Sequence, residues 1–417
     1  MAMNWVWVGL LAVGIATAAV RAALGEADIF GALLKALFDG ARSGFEISLG
    51  LAGIMALWLG LMRVGEAAGM VQWLARLASP LLVRLFPGVP AGHPAQGAMT
   101  MNVSANLLGL DNAATPMGLA AMRELQTLNR ESEGTASDAQ IMFVVMNTAG
   151  LTLIPTSVIA MRQSVAVQQG LGAGFNAADI FLPTLLATAI SLLSAVLAVA
   201  WLQRLPLLRP RALLVLAAIA ALLAGVLALL ARMPAEQAAR ITGSVGAAAI
   251  LAVVLMFVLA GAWRRINVYD AFVEGAKDGF GVAVQIIPYL VAILAAIGVF
   301  RAAGCMDAIL AVVGRGVAAL GLDTGFLPAL PVGLMKVLSG SGARALMVDV
   351  MQAHGVDSFP ARLAAIIQGS TETTFYVLAV YFGSVGVKNT RHALACALLA
   401  DAVGVLAAIG VGYALLR

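Results

Sequence analysis

Charged residues are scarce in this chain. Asp, Glu, Lys and Arg make up 11% of its 417 residues, against 62% hydrophobic residues, and the mean hydropathy is +0.97. A soluble domain carries about 25% charged residues, so too few are present to cover a surface facing water. Cysteine is limited to Cys305 and Cys396, which excludes a disulfide scaffold or a cysteine zinc cluster. The three histidines, His93, His354 and His392, are dispersed. No HExxH pair or GxSxG elbow accompanies them, so neither a resident metal nor an enzyme of those classes is expected. The net charge of +4 belongs, in so apolar a chain, to loops at the membrane face and not to nucleic-acid binding.

What the chain does have is long apolar runs. A membrane span needs about 20 such residues. Residues 4–24, 45–64, 179–203, 211–232, 242–263, 280–302 and 390–415 meet that test. Residues 4–24 read as a span and not as a cleaved signal, because MAMNWVW carries no Lys or Arg. Residues 30–42, 70–86 and 266–278 have apolar residues at helical spacing with charges between, the pattern of interfacial helices. The polar stretch 122–138 reads as an exposed loop. Lys and Arg near Arg204, Arg209, Arg211, Arg264 and Arg265 place the N-terminus on the cytoplasmic side.

Four further segments are apolar but interrupted: 96–121, 139–162, 326–351 and 359–386. Broken backbone inside a bilayer is tolerated only where protein or a watery cavity covers it. Residues 96–121 and 326–351 are therefore predicted as re-entrant hairpins, and 139–162 and 359–386 as spans broken in the middle.

The chain also repeats. Asp39-Gly40-Ala41-Arg42-Ser43-Gly44-Phe45 parallels Glu274-Gly275-Ala276-Lys277-Asp278-Gly279-Phe280, and the same offset aligns Ala67-Ala68-Gly69 with Ala302-Ala303-Gly304. Two copies are predicted, at 1–205 and 241–417, joined by a helix and loop at 206–240. If the hairpins do not cross, that single linking span inverts the second copy, and inverted copies with interrupted helices point to a secondary-transporter fold. The expected fold is thus an all-α integral membrane protein with two inverted-topology repeats.

Polar residues within these segments are the candidate site. The first hairpin carries Asn102, Ser104, Asn106, Asp111, Asn112 and Thr115, with Gly109, Leu110 and Pro116 near its tip. Asn102 and Asn106 share a helix face; they either glue helices together or line a site. The second hairpin carries Lys336, Ser339, Ser341, Arg344 and Asp349. In one reading Lys336 snorkels to the interface and Arg344 pairs with Asp349; in the other Arg344 contacts an anion. The first broken span holds Asn147, Thr148, Gly150 and Pro155, where proline interrupts the helix. The second holds Gln368, Ser370, Thr371 and Glu372. Ser370 or Thr371 would cap a half-helix there, and half-helix N-termini attract anions. Glu372 serves its own helix start or binds a ligand, proton or cation. Asp401, inside the last span, is left open, since Lys388 and Arg391 lie toward the interface.

MNVSANLLGLDNAATPMGL at 101–119 and NTAGLTLIPTSVIAMR at 147–162 resemble the spore maturation protein A family. SGSGARALM at 339–347 and QGSTETTFYVLAVYFGSVGVKNTRHAL at 368–394 resemble the spore maturation protein B family. Both belong to the nucleoside-recognition, or Gate, membrane domains, which are related to concentrative nucleoside transporters. The resemblance implies a multi-pass protein of a bacterial inner membrane. It also implies a substrate site where hairpin tips meet broken helices, formed by Asn102, Asn106, Asn147, Thr148, Ser339, Ser341, Gln368, Ser370, Thr371 and Glu372; Arg344 joins them as the anion contact read from the second hairpin. With aromatics at 6% there are few rings to hold a nucleobase, so a small polar or anionic solute is the expected cargo, with Na+ or H+ as candidate coupling ion. The competing expectation is a membrane assembly or regulatory protein that transports nothing. Its 44 glycines would serve tight helix packing and leave a homo-oligomer open.

Overall fold

The computed structural model describes residues 2–26, 28–108, 111–150, 152–153, 155–171, 174–205 and 210–417. Among the described residues there is no β-strand, only an isolated bridge between Thr135 and Asn389. The helices are α1 (Ala2–Ala23), α2 (Ile29–Ala67), α3 (Met70–Leu85), α4 (Pro94–Leu107), α5 (Asp111–Thr127), α6 (Asp138–Thr148), α7 (Thr156–Gln168) and α8 (Phe181–Leu202). They continue as α9 (Pro210–Ala231), α10 (Ala235–Trp263), α11 (Val268–Ala302), α12 (Cys305–Ala319), α13 (Leu330–Leu338), α14 (Gly340–His354), α15 (Phe359–Ser370), α16 (Thr374–Gly383) and α17 (Ala393–Leu416).

Seven helical stretches are long and apolar enough to cross a membrane: Trp5–Ala23, Ile29–Ala67, Ala177–Leu202, Glu236–Trp263, Val268–Ala302, Phe359–Gly383 and Ala393–Leu416. The chain is a multi-pass membrane protein. Its large apolar side chains agree with that: Trp5, Val13 and Ile15 on α1, and Leu251, Leu255 and Trp263 on α10, are exposed.

The chain forms two compact units. The first contains Met1–Leu59, Ser157–Ala177 and Ala276–Gln368, and the second Gly60–Thr156, Ala178–Gly275 and Gly369–Arg417. Each unit draws on both halves of the sequence.

In the first unit α2 and α11 set the frame. Residues 30–42 and 266–278 are not separate interfacial helices; they are the opening turns of α2, 39 residues long, and α11, 35 residues long. At 1.5 Å per residue α2 runs about 58 Å, well beyond the about 30 Å hydrocarbon core. The glycines of the repeated motif are packing positions. A Cβ on Gly44 would lie 2.8 Å from the Val291 nitrogen, and one on Gly279 would lie 2.7 Å from the Ala56 Cα. Only glycine admits such backbone approach. Further along, Gly40 meets Leu294 and Gly298 meets Ala36. Contacts on α11 thus descend as those on α2 ascend, so the two helices run antiparallel.

The same unit holds the second predicted hairpin, which bends at Ser339 between α13 and α14. The Ser339 hydroxyl accepts from the Gly342 amide at 3.1 Å, an N-cap that stops α13 and starts α14 within one residue. Gln169, just past α7, donates to Met351 O at 2.8 Å and accepts from the Val356 amide at 2.9 Å, tying α7 to the end of α14.

In the second unit α4 and α5 pack side by side as the first predicted hairpin. Its tip residues Gly109 and Leu110 lie outside the described residues, as does Arg209 in the basic loop. The polar loop is shorter than 122–138, because α5 continues to Thr127 and α6 starts at Asp138 with a Ser137–Gln140 capping box. The core of this unit includes Met99, Met122, Leu125, Phe143, Val145, Val196 and Phe382.

Candidate functional site

Both broken spans break where the sequence interrupts them. The first stops at Thr148 and resumes at Thr156, directly after Pro155. The second stops at Ser370 and resumes at Thr374. In the second unit the two interruptions touch: the Glu372 amide donates to Thr148 O at 2.8 Å. Each break therefore supplies a backbone partner that the other lacks, as buried backbone requires. Gly150 O accepts from the Thr188 hydroxyl at 2.9 Å, and the Leu153 amide donates to Leu107 O at 3.0 Å, which ties the end of α4 to the first break.

Side chains extend this junction. Asn106 donates to Asn147 Oδ1 at 2.8 Å, and its amide nitrogen lies 3.5 Å from Asn102 Oδ1. Asn102 is fully buried and donates to Ala114 O at 2.8 Å and to the Tyr381 hydroxyl at 3.3 Å. Asn147 donates to Phe143 O at 2.9 Å and accepts from the Tyr381 hydroxyl at 3.4 Å. Both amide protons of Asn102 are thereby used, and this residue stitches the hairpin together. Tyr381 completes the knot and stacks on Phe143, with ring centroids 5.9 Å apart. The sequence reading missed it because Tyr381 sits within an apolar run, YVLAVYF, with no polar neighbour to mark it.

Thr148, Ser370 and Thr371 are buried at the breaks, and Glu372 is half-buried. Neither Ser370 nor Thr371 caps the second half-helix. The N-cap of α16 is Thr373, and its side chain makes no capping bond. The Glu372 carboxylate makes no hydrogen bond or ion pair among the described residues; its Cγ lies 3.1 Å from where a Cβ on Gly150 would stand. Glycine there leaves the acid its room. Asp401 is bonded from α16: Thr374 donates to its Oδ2 at 2.6 Å. Arg391 is engaged elsewhere, with Asp138 at 2.8 Å.

Ser339, Ser341, Arg344 and Gln368 belong to the first unit. There Ser339 caps α14 and its hydroxyl lies 3.2 Å from that of Ser341. Asp349 pairs with Arg301, not with Arg344, because Arg301 ends α11 beside α14. Lys336 is buried and does not snorkel. Among the described residues no cluster of three or more His, Cys, Asp or Glu could hold a metal.

A family model described as Gate, nucleoside recognition, matches two stretches, residues 48–164 and 283–388, together more than half of the chain. The chain belongs to the Gate family. Among its relatives, spore maturation protein A of Bacillus subtilis (strain 168) is 36% identical over 195 residues, covering 47% of this chain and 92% of that protein. Spore maturation protein B of the same organism is 42% identical over 160 residues, covering 38% of this chain and 86% of that protein. No solved structure matches. The two Gate stretches contain both interruptions and both hairpins, so the family signal falls on the broken elements and not on the flanking spans α1, α9 and α17.

Proposed function

We propose that this Gate protein is a secondary transporter or exporter of a small polar or anionic solute in a bacterial inner membrane. Its halves are read as inverted repeats related to concentrative nucleoside transporters. The α2–α11 crossing carries that reading. The offset that aligns the two glycine motifs carries Gly44 onto Gly279 and Val291 onto Ala56, so the contact Gly44–Val291 reappears as Gly279–Ala56 with the halves exchanged. Reciprocal contact of this kind is the mark of a two-fold axis. Between antiparallel helices that axis runs perpendicular to them, in the plane of the membrane, and equivalent elements then point in opposite directions.

The solute site is read at the paired breaks of the second unit: Asn106, Asn147, Thr148, Ser370, Thr371 and Glu372. Glu372 is its working group, because its carboxylate stands at an interruption without a hydrogen-bond or ion-pair partner among the described residues. It would bind a donor group of the solute, or the coupling H+ or Na+. The saturated hydrogen bonding of Asn102 favours the second reading, an assembly or regulatory protein whose polar residues only hold helices together.

Flux into proteoliposomes separates the two. A transporter moves a nucleoside, dipeptide or small carboxylate, and Glu372→Gln lowers that flux at least tenfold while the protein still folds. Absence of flux for every solute tested, together with full cellular function of Glu372→Gln, would favour the assembly role.

A further inference from the structure

Within the second unit, outside the apolar helices, two loops are sewn together. The amides of Lys388 and Asn389 donate to Gly134 O at 2.8 and 2.9 Å, and the Ala136 amide returns a bond to Asn389 O at 3.0 Å. Arg391 reaches across to Asp138 at 2.8 Å, Glu131 at 3.4 Å and Ala136 O at 3.2 Å. Its backbone adopts φ +50, a left-handed conformation rare for a side-chain-bearing residue, and Asn389 Oδ1 holds it there by accepting from its amide at 3.1 Å. A non-glycine residue persists in that region only where its surroundings over-determine it.

His392 follows Arg391 at the end of this seam. Its Nε2 faces the side-chain nitrogen of Gln203, at the end of α8, at 3.3 Å. The same Gln203 nitrogen donates to Asp138 O at 3.0 Å, which fixes which end of the amide points where. An amide NH2 has two protons: one serves Asp138 O, and the other is available only to an unprotonated Nε2. A protonated imidazole would set N–H against N–H. Turning the amide over would set its oxygen against the Asp138 carbonyl.

We propose that residues 130–138 and 384–392 form a proton-sensitive latch, shut while His392 is neutral and loosened when His392 takes up a proton. The latch joins the entry to α6 in the first half to the entry to α17 in the second, and does not depend on what the protein transports. Arg391 on its own loop and Asp138 across the seam are the charged groups that act on His392; Arg130, Glu131 and Glu133 across the seam, Lys388 on its own loop and Arg204 beside Gln203 are the other charged residues of the joined segments. Burial and then the Arg391 guanidinium hold its pKa below the ordinary 6.5, with Asp138 opposing. The sign follows. A histidine with a lowered pKa in the closed form contributes its stability in full above 6.5, and that contribution fades as pH falls below it.

Hydrogen exchange of the full-length protein in nanodiscs, expressed as protection factors at about pH 7.5 and about pH 5.5 on either side of the imidazole range, tests this. Protection of amides 134–138 and 388–392 should drop several-fold at the lower pH, while α15 stays unchanged. His392→Gln should remove the difference. Gln203→Glu, whose carboxylate accepts from the imidazolium, should reverse it. Equal protection at both pH values in the wild type would overturn the latch, as would a pH response surviving in His392→Gln.

Discussion

At the α2–α11 crossing Gly44 meets Val291 and Gly279 meets Ala56, so the two halves of the chain bring the same residue to the same task. At the break junction they bring different ones: Asn102, Asn106 and Asn147 come from the first half, Tyr381 and Glu372 from the second. A crossing that must only fit can be built twice from one pattern. A junction that must hold unwound backbone draws on whichever side chains reach it, and here the two halves supply different ones.

The crossing should give the largest effects. Gly44→Val and Gly279→Val each force a branched side chain into backbone, and overpacking of this kind costs about 3 kcal/mol. Unfolding in detergent should show similar losses for the two. A loss confined to one of them would break the equivalence of the halves.

The junction should give smaller, unequal losses. Asn102→Ala removes a residue bonded to Ala114 O and to Tyr381, and leaves Asn106 with one partner fewer. Hydrogen bonds in membrane proteins average about 0.6 kcal/mol each, with larger values at buried hubs, so the expected loss is about 2 kcal/mol. A double-mutant cycle between Asn102 and Tyr381 should find them coupled; independent effects would mean that their contact carries no energy.

The class of the fold could be read from the sequence because its cause is compositional. Apolar runs, their interruptions and the glycine motifs all follow from what a bilayer demands of backbone, and the structure breaks its helices at Pro155 and after Ser370. What could not be read depended on partners distant in sequence. Arg344 and Asp349 suggested a pair by helical spacing, yet Arg301 sits closer in space. Residues 30–42 carried an interfacial pattern, yet they continue into α2: Lys35, Asp39 and Arg42 stay exposed, and the pattern does not reveal that Ala36 and Gly40 on the other side pack against α11. Tyr381 was invisible since its importance rests on Asn102 and Asn147, each more than two hundred residues away.

The second hairpin tests whether a break can be self-contained. Ser339 closes its own bend with the Gly342 amide and draws on no remote side chain for that bond. Ser339→Ala should cost about 1 kcal/mol, the usual value of an N-cap, and Ser339→Asp should recover most of it by capping in the same way. A loss as large as that of Asn102→Ala would show that this bend, too, relies on distant partners.

Glu372→Gln should have the smallest effect on stability and for that reason is the sharpest test. The exchange keeps shape and removes charge. The backbone amide that bonds Thr148 O is untouched, and the carboxylate has no described partner to lose. The unfolding midpoint should therefore move by no more than about 0.5 kcal/mol in equivalent stability, the range of a substitution that breaks no structural contact. A stabilisation beyond that range would mean the acid is held in place at a cost to the fold, as expected of a group retained for binding. A loss of about 2 kcal/mol, matching Asn102→Ala, would place Glu372 among the residues that merely fasten the breaks, and the asymmetry between the halves would then be architectural and not chemical.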